Sequence, residues 1–312
     1  MKKTTLAIAT AALLTTAGTA NAGAKIKIND DATINLGFRV QALLLSRSGN
    51  GEDEFKMRRA RIRLGSTITD KASIFLQTDV SGKTVKMIDA FITFKPSKTL
   101  NIIVGENMVP ASRQNLTSSS ALLTMDRPGT TYKTLNWGSR ALKSFSNTTI
   151  NETKGGFATK YAVRDGGATI FGKGDINSTT HFKYYAGIYN GSNKPASDSF
   201  EYSTRVQLNF GDAESGYYNL STYLGKKQTF SLGVSYTAQN DAFAEQPIGE
   251  GSLTAEASYS KVDLDGAGDL TTGGNGKNSE GDGYYAQTGY LLNNWQIWAG
   301  YEAWSSTNSD KI

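Results

Sequence analysis

From residue 34 onward, apolar and polar positions alternate with a period of two through most of the chain, the signature of a β-strand with two unlike faces. In INLGFRVQALL, Ile34, Leu36, Phe38, Val40, Ala42 and Leu44 share one parity, and Asn35, Gly37, Arg39 and Gln41 share the other. FKMRRARIRLGSTI, residues 55–68, sets Ala60, Ile62, Leu64 and Ile68 against Arg59, Arg61, Arg63 and Thr67. ASIFLQTDV (72–80) sets Ile74, Leu76 and Val80 against Gln77 and Asp79, and MIDAFITFK (87–95) sets Ile88, Ala90, Ile92 and Phe94 against Asp89, Thr93 and Lys95. EYSTRVQLNF (201–210) repeats the pattern. The alternation predicts an all-β chain, with segments close to the ~9–11 residues of a tilted membrane strand.

Alternation has two architectures behind it. A soluble sandwich turns its apolar parity into a shared core, whereas a membrane barrel turns it to lipid and lines its lumen with the polar parity. The spacing of the connections favours the barrel, because membrane barrels alternate short turns with longer loops. The intervals run 47–54 (long), 69–71 (short), 81–85 (middling), 96–98 (short) and about 107–160 (very long), with GKGDINS and Asn293-Asn294 as further short turns and 263–282 as a further loop. Tyr284, Tyr285, Trp295 and Trp304 fall near strand ends, where aromatic girdles sit.

Composition agrees: 33 Gly, 15 Tyr and 13 Phe with only 5 Pro suit strands and turns better than helices. The first residues, MKKTTLAIATAALLTTAGTANAGA, have a basic start, an apolar stretch too short to span a bilayer, and an Ala20-Asn21-Ala22 cleavage pattern. They predict a signal peptide over 1–22, followed by a single β-domain over 23–312. No cysteine is present, so neither disulfides nor thiolate metal sites enter. The formal charge of +5, two units of it on Lys2 and Lys3, is too small to argue for nucleic acid. No cofactor-binding motif or metal cluster is expected.

With those residues in view, the chain resembles the phosphate-selective porin O and P family of Gram-negative outer membranes. The resemblance is carried by FKMRRARIRLGSTITDKASIFLQTDV, MIDAFITFKPSKTLNIIVGENMVPASRQ, RDGGATIFGK, YYAGIYNG, TYLGKKQTFSLGVSY and GYLLNNWQIWAGYE. It implies a transmembrane antiparallel β-barrel of about sixteen strands, a homotrimer, an outer-membrane location and an arginine-lined path for anions such as phosphate. On that template residues 239–247 make a shortened strand, about thirteen strands are present, and C-terminal strands are missing where the chain stops in SSTNSDKI.

Candidate residues follow from the faces. A charge facing lipid at mid-bilayer costs about 2–4 kcal/mol, so Arg59, Arg61 and Arg63 belong in the lumen. They form a ladder with ~7 Å steps along the strand, joined by Arg39 on the neighbouring strand. Asp79 and Asp89 are the acids that could neutralise such a wall. Lys56 and Arg58, of opposite parity at the outer end of their strand, could meet lipopolysaccharide phosphates. The resemblance places Arg113 on the anion path near its constriction, at the start of a loop that in porins often folds inward, with Arg127, Lys133 and Arg140 as weaker candidates. His181 is expected as a turn histidine, and Asp263–Asp269 as an outside loop without the twelfth-position Glu of a calcium loop. The rival expectations are a weakly selective porin and a non-conducting adhesive β-protein. No enzymatic activity is expected.

Overall fold

A computed structural model of the chain describes residues 23–45, 54–82, 85–124, 127–134, 163–190, 200–237, 239–263 and 280–306. The expected signal peptide, Arg140, most of the 263–282 loop and the final TNSDKI lie outside them.

The described residues form one antiparallel sheet of fourteen strands in strict sequence order. These are β1 (Gly23–Lys27), β2 (Thr33–Leu45), β3 (Glu54–Thr69), β4 (Ala72–Asp79), β5 (Lys86–Phe94), β6 (Asn101–Met108), β7 (Arg164–Asp175), β8 (Thr180–Tyr189), β9 (Glu201–Gly211), β10 (Thr229–Ser235), β11 (Gln239–Ile248), β12 (Gly251–Asp263), β13 (Glu280–Leu292) and β14 (Trp295–Ser306). Two short helices, α1 (Arg113–Leu116) and α2 (Gly129–Thr134), lie between β6 and β7. The strand beyond the expected thirteen is β1, which precedes the first alternating segment and pairs with β2 from Gly23↔Gly37 to Lys27↔Thr33. Residues 239–247 are a strand as expected: they lie in β11, which pairs with β12 over all ten of its residues. Its Ala- and Gln-rich sequence has little β-propensity of its own, so pairing rather than local preference holds it extended.

The two faces are inverted relative to a soluble protein. On β9 and β10, Val206, Leu232 and Val234 are 54%, 43% and 63% exposed, while Arg205, Gln207, Asn209 and Ser231 between them are at most 1% exposed. A sandwich in water would bury the first set and expose the second. The outer face is therefore the lipid face, and the all-β chain has the architecture of a transmembrane barrel wall.

Connections alternate as expected, with one exception. One end carries tight turns at 70–71, 249–250 and 293–294. Asn293 and Asn294 have φ of 50° and 76°, the two left-handed residues that a type I′ hairpin requires and that asparagine tolerates. At that same end β9 and β10 are joined by the long segment 212–228, which turns into the lumen. Its base is closed by Asp212 N–H to the Gln228 carbonyl (2.8 Å) and Gln228 N–H to the Asp212 carboxylate (2.7 Å). Gly211, at φ +91°, starts the departure, and a Cβ there would lie 2.3 Å from the Gln228 carbonyl oxygen, so only glycine fits. From the opposite end, residues 109–134 also fold inward. The two insertions meet: Asn219 N–H donates to the Leu116 carbonyl (3.1 Å), Ser221 N–H to that of Ala121 (2.9 Å), and Thr117 and Asn219 form a parallel β-bridge. Where they touch the inner faces of β5–β8, a small apolar cluster of Phe91, Ile103, Leu116, Phe171, Tyr185 and Tyr217 packs around them.

An arginine placed on the outer face tests this partition. Leu232→Arg, at the middle of β10, should lower unfolding free energy by about 2–4 kcal/mol in lipid. Unchanged stability in urea titrations of reconstituted protein would place Leu232 in water.

Candidate functional site

Strand register brings the predicted arginines onto one wall of the lumen. Arg39 stands opposite Arg61, Gln41 opposite Arg59, and Gly37 opposite Arg63. One strand further, Arg61 faces Asp79 and Arg63 faces Gln77, and Gln77 in turn faces Asp89 on β5. Like charges directly across a strand pair are unfavourable, so Arg39 beside Arg61 is an arrangement that folding alone does not favour.

Three of the guanidiniums are held in the same manner. Arg61 Nε donates to Asp79 Oδ2 (3.0 Å), Arg63 Nε to Gln77 Oε1 (2.6 Å), and Arg164 Nε, from the start of β7, to Asp89 Oδ1 (2.8 Å). Gln77 Nε2 in turn donates to Asp89 Oδ2 (2.8 Å), so Arg63, Gln77, Asp89 and Arg164 form one hydrogen-bonded chain. In all three arginines the anchor is Nε. Among the described residues the Nη groups have no acceptor, and they are not sealed from water. Arg39 Nη1 donates to Ser119 Oγ on the inward-folded segment (3.0 Å), and Arg59 Nη1 to Gln41 Oε1 (2.8 Å). Asp79 and Asp89 thus each take one arginine, while Arg63 is held by a neutral amide.

The opposite wall is acidic and fully engaged. Asp241 accepts from Arg205 Nη1 (2.6 Å) and Nη2 (2.8 Å). Glu245 accepts backbone N–H groups of Tyr223 (2.7 Å) and Gly225 (2.9 Å). Glu256 accepts from Gln114 (2.8 Å), Tyr285 (2.6 Å) and Gln287 (3.2 Å). The insertions are moored on this side, so its carboxylates are spent on structure.

Arg113 corrects an expectation. Its side chain is fully buried, and its terminal nitrogens meet Glu214 of the 212–228 segment in a forked ion pair, Nη2–Oε1 2.6 Å and Nη1–Oε2 3.0 Å. It also donates to Ser231 Oγ and the Leu220 carbonyl and stacks 3.7 Å above the Phe243 ring. It binds the insertions to each other and to the wall and does not face an open path. Burial alone would raise the Glu214 carboxyl, but the adjacent Arg113 overrides it and holds it well below the usual range. Burial likewise works against the Arg113 charge, and Glu214 outweighs it. Arg127 has a similar structural role, donating through Nε to the Gln114 carbonyl (3.0 Å).

The simple parity behind the outward reading of Arg58 is interrupted. A β-bulge between Gln41 and Ala42 shifts the register so that Arg59 and Met57 are consecutive partners, leaving Arg58 as the extra residue. Below it Met57 and Phe55 are the strongly exposed residues, so outward parity changes from even to odd. The side chains of Lys56 and Lys133 lie outside the described residues. His181 sits at a strand start after a turn, as expected, with Nδ1 2.5 Å from Asp175 Oδ1 and Nε2 3.1 Å from the Gly211 carbonyl oxygen.

A family profile described as Phosphate-selective porin O and P matches residues 32–309. The chain belongs to that family. Among solved structures, this porin is similar to the anion-selective porin from Comamonas acidovorans at 12% identity and TM-score 0.55, over 90% of this chain and 81% of that one. It also matches OmpT, an outer membrane protein of Vibrio cholerae in trimer form, at 12% identity and TM-score 0.46, over 89% and 79% of the two chains. A third match is Salmonella typhi OmpF, at 11% identity and TM-score 0.37, over 91% and 100%. The Comamonas likeness shows the fold. No curated protein matches the chain.

Sequence reasoning missed Arg164, Glu214 and the whole 212–228 insertion. A polar, glycine-containing stretch too long for a short turn, GDAESGYYNLSTYLGKK, was the available signal.

Glu214→Gln should cost the porin about 3–5 kcal/mol at neutral pH, because it strands a buried guanidinium. Arg113→Met with Glu214→Leu should recover most of that loss. Since the folded carboxyl lies below its ordinary range, the wild-type margin over Glu214→Gln is complete above that range and fades only as pH falls through the folded value. Equal melting temperatures at neutral pH would contradict the pair's role.

Proposed function

We propose that this porin sits in the outer membrane of a Gram-negative bacterium and lets small anions, phosphate or a similar oxyanion among them, diffuse passively along the wall of Arg39, Arg59, Arg61 and Arg63. The observation that carries this reading is the Nε anchoring of Arg61, Arg63 and Arg164, which fixes each guanidinium while leaving its two Nη groups toward water. A fixed guanidinium presents paired planar donors to an oxyanion at little ordering cost. Conduction needs sites attractive enough to enter and weak enough to leave, and a row of partly hydrated arginines offers such steps. The acids of β11 and β12, Asp241, Glu245 and Glu256, are engaged by Arg205, Tyr285, Gln287 and the insertions. The Comamonas relative, named as anion-selective, agrees with this reading. Assembly as a homotrimer and contact with lipopolysaccharide belong to the same proposal and rest on the family resemblance.

A weakly selective porin is the second reading, favoured by the ion pairs Arg61–Asp79 and Arg164–Asp89, which offset two of the charges. The reversal potential across a planar bilayer in a KCl gradient separates them. The account expects a potential on the chloride side that moves toward zero when Arg59, Arg61 and Arg63 are all changed to Gln. A near-zero potential unaffected by the changes would establish the weakly selective channel.

A further inference from the structure

Tyr218 is brought to the arginine wall from far along the chain by the 212–228 insertion. Its ring is half-buried, edge-on to Tyr217 at 5.2 Å between centroids, against the apolar cluster. A half-buried tyrosine ordinarily hydrogen-bonds through its hydroxyl. Among the described residues this one has no such partner, yet the oxygen is not sealed from water. Tyr218 packs on the cluster that holds Phe91, which shares the inner face of β5 with Asp89 two residues earlier, and the charges that act on it are those of Asp89, Arg164 and Arg63, the acid and the ends of the Nε-anchored chain. Asp89 itself is occupied by Gln77 and Arg164, so the groups of that chain left without an acceptor among the described residues are the Nη donors of the two arginines. Burial, then Asp89, push the phenol above its ordinary pKa, so it remains a neutral O–H.

We propose that Tyr218 is a specificity-determining residue, its hydroxyl completing with the Nη groups of Arg63 and Arg164 a site that takes a tetrahedral oxyanion in preference to chloride. This rests on the reading that the lumen carries anions. Positive charge alone attracts both kinds of anion. A neutral hydroxyl adds a directional donor that a multi-oxygen anion can meet while its other oxygens hold the guanidiniums, and it can accept from a protonated oxyanion as well. Residues on three separated parts of the chain, β3, β7 and the insertion, converge there, so the site exists only while the insertion is seated.

The test is chloride conductance in planar bilayers with inorganic phosphate added in steps, for wild type and Tyr218→Phe. The substitution keeps the ring and removes no hydrogen bond to a described residue, so the insertion stays in place. Wild type should show a saturating block. Tyr218→Phe should raise the half-blocking phosphate concentration about tenfold, the loss of one hydrogen bond to a charged group, with the KCl reversal potential unchanged. Arg164→Gln should raise it and also shift the potential toward zero. Equal block in wild type and Tyr218→Phe, or no block in a wild type that is anion-selective, would overturn the site and leave the anion path standing. A wild-type potential on the cation side would instead remove the anion reading itself.

Discussion

The hydrocarbon outside the sheet accepts neither an unpaired backbone group nor a charge, and the rest of the structure follows from that constraint. Sequential antiparallel pairing joins β1 through β14, with each strand between those two bonded on both sides. Alternation then sends Val206, Leu232 and Val234 outward and Arg205, Gln207 and Asn209 inward. The polar parity is thereby gathered on the inner face of the sheet, against the two insertions. Each charge there has to find another lumen group, a carbonyl or water.

The two sides of the lumen solve that problem differently. On β11 and β12, Asp241, Glu245 and Glu256 are saturated by donors from Arg205, from the two insertions and from Tyr285. The insertions could not be seated without them, because buried donors such as the Arg113 guanidinium and the Gln114 amide require acceptors. On β2 and β3, Arg61 is anchored through Nε on Asp79 and Arg63 through Nε on the neutral Gln77, while Arg39 and Arg59 donate through Nη1 to Ser119 and Gln41. Acid is used for architecture on one side, and positive charge is left over on the other. A lumen with this asymmetry has a field that the sequence's modest net charge of +5 does not convey.

Much of this was legible in the sequence, because period-two alternation is a local property and local patterns survive into the fold. Arg59, Arg61 and Arg63 share a face as their parity requires, and Asn293-Asn294 forms the tight turn that its residues favour. Other features depended on partners far away. Arg113 could not be distinguished from a pore arginine without Glu214, which is 101 residues distant. Arg164 joins the wall only because β7 starts where Asp89 waits for a second donor. The parity on which Arg58 was read as outward is interrupted by a single-residue bulge, which no change in composition announces. Pattern reading therefore recovers faces and turns, and it loses insertions and bulges, where the chain departs from its period.

The central claim is that the face bearing Arg39, Arg61 and Arg63 is wet and positive. Gly37 stands directly opposite Arg63, and a Cβ there would lie an ordinary 3.7 Å from the Arg63 Cβ, so a thiol can be added without removing a charge. The chain has no cysteine to compete. The most direct measurement is the rate at which Gly37→Cys in reconstituted protein reacts with anionic and cationic thiol reagents of equal size, with Phe38→Cys as the lipid-facing control. The account predicts that the anionic reagent modifies Gly37→Cys several-fold faster than the cationic one, with the difference shrinking as salt screens the wall, and that Phe38→Cys reacts with neither. Equal rates, a faster cationic reagent, or modification of Phe38→Cys in place of Gly37→Cys would contradict it.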